Sequence, residues 1–203
     1  MPIETKIDMG PARENWIDDG GIGTTVGIGS VPTAVASYVV AEEYGIGEIH
    51  VTKLTFSALS IATVDNGTGG HAGGSKVYDF PLGYIQILGG AQAWSLLTAD
   101  GTGIVNDTVI DVGIGSTVAG TADETLSGTN ENIINEKSLT LSSAVTATAQ
   151  IIGEATGGVI DGSATAVDAY LNVACTAATA DADGTLACTG TVWMVWLNYG
   201  SAT

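Results

Sequence analysis

Histidines, cysteines and paired carboxylates are the residues of this 203-residue chain that could do chemistry, and they are few. The only histidines are His50 and His71. His50 sits in an alternating, strand-like run, where a polar surface role is expected. His71 sits in Asp65 to Ser75, a glycine-rich stretch that reads as a flexible loop, a setting that catalytic groups use. Ser75 follows nearby, but the Gly-x-Ser-x-Gly turn that exposes a nucleophile is absent. Gly70 to Lys76 has the glycines of a phosphate loop in the wrong arrangement: Ser75 precedes Lys76, and a strand rather than a helix is expected to follow. Gly21-Ile22-Gly23 and Gly113-Ile114-Gly115 lack the third glycine and the helix that hold a dinucleotide, so both are read as turns.

Metal sites are equally unpromising. Asp181-Ala182-Asp183-Gly184 opens like a calcium loop, but the position that should carry the bidentate glutamate is Val192. A tight turn built on Asp183-Gly184 is the preferred reading. Cys175 and Cys188 flank that turn, and as a pair they are too few for a zinc site. On adjacent strands they could form a disulfide, although two buried, reduced thiols are expected. Glu42 and Glu43 would point to opposite faces of a strand, so they could not flank one glycosidic bond; solvated surface acids are expected there and at Asp123-Glu124. No catalytic residue, metal ligand or cofactor site is therefore expected.

Composition excludes further classes. Twenty-two acidic residues against 5 basic ones give a formal charge of −17. Lys6, Arg13, Lys53, Lys76 and Lys137 are scattered and cannot make the positive groove that nucleic acid requires, and an anionic membrane surface would repel the chain. No apolar run approaches the length of about 20 residues that spans a bilayer, and Met1 to Gly10 shows no apolar signal region. Hydrophobic residues make up 45% of the chain, enough for a substantial core.

The elements around these residues read as β throughout. Residues 1–30 are punctuated by Gly10-Pro11 and Asp18-Asp19-Gly20-Gly21, and are read as an extended N-terminal arm. Trp16, Ile17 and Ile22 are large apolar groups in that polar arm; they are the candidate contacts to a neighbouring surface, and an arm folded back on its own domain is the equal alternative. Residues 31–203 are read as a single domain. Val35 to Tyr44 and Glu48 to Val64 form a hairpin across Gly45-Ile46-Gly47. Pro81 breaks a strand pattern that resumes at Tyr84, and Ala91 to Leu97 is a further strand. One or two helical turns are expected near Thr129 to Ile134. Ser138 to Ile152 returns to strand.

The end of the chain alternates most clearly. Val167, Ala169, Leu171, Val173 and Cys175 share one parity, and Leu186 to Tyr199 is apolar on both faces. These two runs predict a long C-terminal hairpin whose last strand lies near the centre of a sheet. The fold expected is all-β, an antiparallel β-sandwich of jelly-roll type preceded by the arm.

Lys76-Val-Tyr-Asp-Phe-Pro-Leu-Gly-Tyr-Ile-Gln-Ile-Leu-Gly89, Gly115-Ser-Thr-Val-Ala-Gly120, Thr125 to Ile134 and Asp183 to Gly200 together resemble, in texture and order, virion proteins of tailed bacteriophages. That resemblance implies a head decoration or cement protein. Such a protein binds the outside of the capsid as a homotrimer, with the major capsid protein as partner, after assembly in the host cytoplasm. The family brings no active-site residues. A tail-tube or neck component, or a carbohydrate-binding host-recognition module that displays tryptophans, is the alternative reading.

Overall fold

The computed structural model describes residues 29–46, 49–65, 70–98, 104, 109–121, 123–141, 151–153, 158–176 and 183–200. Residues 1–28, with Trp16, Ile17 and Ile22, lie outside the described residues, as do Asp181 and Ala182 of the expected turn.

Ten strands follow one another: β1 (Val39–Ile46), β2 (Ile49–Asp65), β3 (Gly70–Asp79), β4 (Gly83–Thr98), β5 (Val109–Gly115), β6 (Ile134–Thr140), β7 (Ile151–Gly153), β8 (Val159–Gly162), β9 (Asp168–Thr176) and β10 (Gly184–Asn198). Every pairing between them is antiparallel. They make one hydrogen-bonded path, β6-β5-β9-β3-β2-β10-β4-β7, with β1 also on β2 and β8 also on β4. The hairpin expected around Gly45-Ile46-Gly47 is β1–β2, with Glu43 opposite Thr52 and Tyr44 opposite Val51. Pro81 separates β3 from β4, because proline cannot donate to a ladder.

β2 is the pivot of the sheet. Its first half lies between β1 and β10, while Val64 and Asp65 at its end pair with β3. Halfway along, its inward parity switches: His50, Thr52, Leu54 and Phe56 are buried, then Leu59, Ile61 and Thr63. The switch happens at Ser57-Ala58, where both side chains are exposed and Ala58 adopts φ 53°. The Tyr38 carbonyl accepts from the Ser57 N–H at 2.8 Å, and the Thr189 Oγ1 accepts from the Ala58 N–H at 3.0 Å. A bulge of this kind bends a strand and sharpens its twist, so the sheet curls over its own concave face.

That face is the core. Leu54, Phe56, Trp94, Leu96, Val112, Ile114, Leu171, Val173, Met194 and Trp196 are all buried in one cluster drawn from strands throughout the path. The curl brings β4 beside β5 and β6, distant from it in sheet order. Gln92 on β4 spans the gap, its Nε2 donating to the Asn135 carbonyl at 2.9 Å and to the Val112 carbonyl at 3.4 Å. Its Oε1 accepts from Trp94 Nε1 at 2.6 Å. Close approach at the same seam needs a residue without a side chain, since a Cβ on Gly90 would lie 2.7 Å from Ile134 Cδ1.

Three expectations need correction. The C-terminal hairpin does not form: β9 lies between β3 and β5, and β10 lies between β2 and β4. Strand length explains this. β10 has 15 residues and matches β2 with 17 and β4 with 16, whereas β9 has 9 and matches β3 with 10. Full-length ladders satisfy more backbone groups than a mismatched hairpin would. Cys175 and Cys188 consequently sit on strands that do not pair, and both are buried free thiols. The glycine-rich stretch is likewise not loop up to Ser75, because β3 begins at Gly70 and uses glycines where backbones pack: a Cβ on Gly73 would lie 2.1 Å from the Ala62 carbonyl oxygen. Finally, the helical turns near Thr129 reduce to one 3-10 turn, Gly128–Asn130, and Ile134 already belongs to β6.

Two substitutions test this account of the core. Trp196→Ala, at a fully buried ring, should lower unfolding free energy by about 3–5 kcal/mol in urea titrations, whereas Trp193→Ala, on the outer face of the same strand, should change it by less than about 1 kcal/mol. Gln92→Leu should cost about 1–3 kcal/mol, because it leaves the Trp94 indole N–H and two carbonyls without their partner.

Candidate functional site

Inside the curl, polar groups gather around Glu43. Tyr78 Oη donates to Glu43 Oε2 at 2.5 Å, and His50 Nδ1 meets Glu43 Oε1 at 2.7 Å. The Thr52 hydroxyl and the Gly29 N–H lie near the same Tyr78 oxygen and partly offset the rise in its pKa. Trp196 Nε1 donates to Thr52 Oγ1 at 2.8 Å, and the Trp196 ring stacks on the His50 imidazole at 3.8 Å. Each member comes from an inward position of β1, β2, β3 or β10, apart from Gly29 at the chain's entry. Burial, followed by the Glu43 charge, drives the Tyr78 hydroxyl far above the ordinary tyrosine range.

A histidine held by a carboxylate is half of a hydrolytic relay. Here the other half is missing in geometry: His50 Nε2 is buried and has no hydrogen-bond partner. The imidazole has no solvent exposure, so no substrate atom can reach it without the core opening. The cluster therefore ties four strands together from within. The expected surface placement of His50 and Glu43 is wrong, while Glu42, on the opposite face of β1, is partly exposed and paired with Lys53 at 2.5 Å. His71 is also buried, on β3, with Nε2 3.6 Å from Asp65 Oδ1.

The remaining chemical candidates are similarly withdrawn. Burial raises the Cys175 thiol to about 11, helped by the Asp111 charge, and the Cys188 thiol to about 12, so neither forms a thiolate near neutral pH. Lys76 binds Asp79 and Asp168 at 2.5 and 2.9 Å and ties β3 to β9. Among the described residues, no group of three or more His, Cys, Asp or Glu side chains is placed to hold a metal ion. Among the same residues, no helix is long and apolar enough to cross a membrane.

What the molecule does present is an apolar sheet surface. The convex side of β1, β2, β10 and β4 carries four rows in register: Val40, Thr55, Thr191 and Ala93; Glu42, Lys53, Trp193 and Ala91; Tyr44, Val51, Val195 and Gly89; then Ile49 with Leu197. Val40 is 60% exposed, Ile49 50% and Trp193 39%. Trp193 stacks loosely with Tyr44, ring centroids 6.5 Å apart, and Lys53 Nζ lies 5.6 Å from the indole centroid. With strands about 4.8 Å apart and successive same-face residues about 6.8 Å apart, these rows cover on the order of 300 Å2. Thr55, Thr191 and the Glu42–Lys53 pair interrupt the rows, and the area is of the size of the largest patch on an ordinary monomer, about 300–600 Å2.

The one sequence feature that pointed to this surface was the apolar character of both faces of Leu186 to Tyr199. Deep burial was the expected explanation, and only the inner face has it. Trp16, Ile17 and Ile22, the contacts expected from sequence, lie outside the described residues. Among the described tryptophans, Trp94 and Trp196 are core and Trp193 is exposed. The chain matches no family model and no curated protein.

Two measurements probe the polar groups. Glu43→Ala should destabilise by about 3–5 kcal/mol in chemical unfolding, since it strands the buried Tyr78 hydroxyl and His50 Nδ1 together. Glu136 behaves oppositely: burial, then the charges of Asp111 and Glu131, raise its pKa, although the Leu126 N–H donates to it. A carboxyl with a raised folded pKa contributes its stability below the unfolded value of about 4.3 and loses it as pH rises through the folded one. Glu136→Gln should therefore be more stable than the parent at pH 7, with the difference closing on acidification to about pH 4.

Proposed function

We propose that this chain is a structural virion protein, a decoration or cement protein that binds the outside of a tailed-phage head and stabilises it. In this reading the curled sheet is the body of a jelly-roll-like β-sandwich that assembles as a homotrimer on the major capsid protein. Residues 1–30, with Trp16, Ile17 and Ile22, and the convex face of β1, β2, β10 and β4 together make the docking surface.

The observation that carries the reading is that convex face, an ordered apolar area on a chain of charge −17. Free copies repel one another and stay dispersed, so association requires a lattice that supplies apolar contact and opposite charge. Binding only to the assembled shell stabilises that shell by mass action. Many modest contacts then act together once the lattice holds them in place. The sequence resemblance supports the same reading. Sealed thiols and a sealed histidine suit a part whose work is mechanical.

Imaging intact particles by cryo-electron microscopy, with antibody labelling, should place the protein on the head exterior. Particles lacking it should release their genome at a lower temperature, and equal robustness would count against a stabilising role. Truncation of residues 1–30 should leave a folded body that no longer decorates shells. The exposed Trp193 and its Tyr44 neighbour favour one second reading, a carbohydrate-recognition surface. In that case Trp193→Ala would abolish glycan-array binding and leave particle occupancy unchanged.

A further inference from the structure

The outer face of β9 is covered, unlike that of β10. Asn172 and Ala174 alternate with Leu171, Val173 and Cys175, which face the core, yet both are fully buried. The cover is the β5–β6 connection, described over residues 116–121 and 123–133. Asn172 reaches both of its limbs. Its Oδ1 accepts from the Ala119 N–H at 3.0 Å, and its Nδ2 donates to the Thr117 and Asn130 carbonyls, each at 2.8 Å. The limbs are also joined to each other: Asn130 Nδ2 donates to the Val118 carbonyl at 3.0 Å, and Asn132 Oδ1 accepts from the Ser116 N–H at 2.8 Å. Beneath them is a small apolar cluster, Ala119 and Leu126 with Ala72 and Ala174. Close seating needs Gly74 and Gly115, where a Cβ would lie 2.2 Å from Asn172 Oδ1 and 2.1 Å from the Asn130 carbonyl carbon. A unit zipped internally and held down mainly by hydrogen bonds sits at the low-stability end of a fold.

One of the holding bonds runs through carboxylates. Glu136 Oε2, on β6, accepts from the Leu126 N–H at 3.0 Å, and Glu131 Oε2 accepts from the Glu136 N–H at 2.7 Å. Asp111, on the outer face of β5 and 8% exposed, carries the third carboxylate; the Ser138 hydroxyl donates to it at 2.6 Å. Positive charge does not balance them. Lys76 on β3 is held by Asp79 and Asp168, and Lys137 on β6 is exposed. β9 and β3 turn the uncharged Asn172, Ala174 and Ala72 toward the connection, while Asp123 and Glu124 lie beside Gly70 at its far bend. Glu136 is therefore the carboxyl that opening relieves. Burial and the Asp111 and Glu131 charges disfavour its ionised form while the connection is closed.

We infer that the β5–β6 connection is a pH-dependent lid: latched by Asn172 and Glu136, it closes over β3, β9 and β5 in mild acid and loosens as the Glu136 carboxyl ionises. The sign follows from linkage. A carboxyl that resists ionisation when closed contributes its full stabilisation below the ordinary value of about 4.3, and that stabilisation is lost as pH rises through the closed-state value. Opening bares Asn172 and Ala174 and leaves the core side of β9 in place. The inference concerns the isolated protein and does not depend on the virion reading.

Amide hydrogen exchange read by NMR tests it in the full-length protein. Ala119 and Leu126 report the lid through their bonds to Asn172 and Glu136, and Leu171 and Val173 report β9 beneath it. After correction for intrinsic rates, the opening constants at Ala119 and Leu126 should rise together, severalfold, between about pH 4.5 and about pH 7, while Leu171 and Val173 stay protected. Glu136→Gln should abolish the rise at both amides. Asn172→Ala should raise both opening constants at every pH, because it removes the bonds to both limbs. Opening that is independent of pH, or that falls as pH rises, would overturn the inference. So would a rise that survives Glu136→Gln, an Asn172→Ala variant as well protected as the parent, or Ala119 and Leu126 amides that open independently. These readouts are local to the lid, so their failure leaves the particle measurements untouched and the two proposals fall separately.

Discussion

The fold depends on drawing β4 against the β5–β6 end of its own sheet, and the Gln92 carboxamide makes that contact. An antiparallel sheet of this length has two faces and no helix among its described residues to cover either. Curling is how such a sheet buries one of them. The Ser57-Ala58 bulge bends β2, β3 leaves along a new direction, and the far strands return until Gln92 reaches the Val112 and Asn135 carbonyls. Its other end accepts the Trp94 indole N–H, so one side chain satisfies groups on three strands at the seam. Small residues complete the closure, with Gly90 against Ile134.

Curling also explains the polar cluster. Where β1, β2, β3 and β10 converge, Glu43 is enclosed and its two oxygens take hydrogen bonds from Tyr78 and His50. A carboxylate in that position is tolerable only because both oxygens are engaged. A His–Glu pair looks catalytic in isolation. Stacked on Trp196 and closed to solvent, it serves as an internal tie between β1, β2, β3 and β10.

The opposite face has no such enclosure. Outward positions of β1, β2 and β10 carry Val40, Tyr44, Ile49, Trp193 and Val195 where a fully solvated sheet would carry polar residues. The pattern makes sense for a body that presents one side to something else. The chain's formal charge of −17 discourages indiscriminate association.

The sequence by itself determined the local character of the chain. Alternation placed Val167 to Cys175 on one inward face, Gly45-Ile46-Gly47 marked a hairpin, Pro81 marked a break, and the separation of Glu42 from Glu43 across a strand was legible from period two alone. These features depend on near neighbours, which a sequence displays directly. Tertiary structure decided the rest. It matched β10 with β2 and β4 by length rather than with β9 by adjacency, it hid His50 and His71, and it left one apolar face of β10 outside. Those outcomes depend on which distant strands share a ladder and on which side the sheet curls, and no spacing along the chain encodes either.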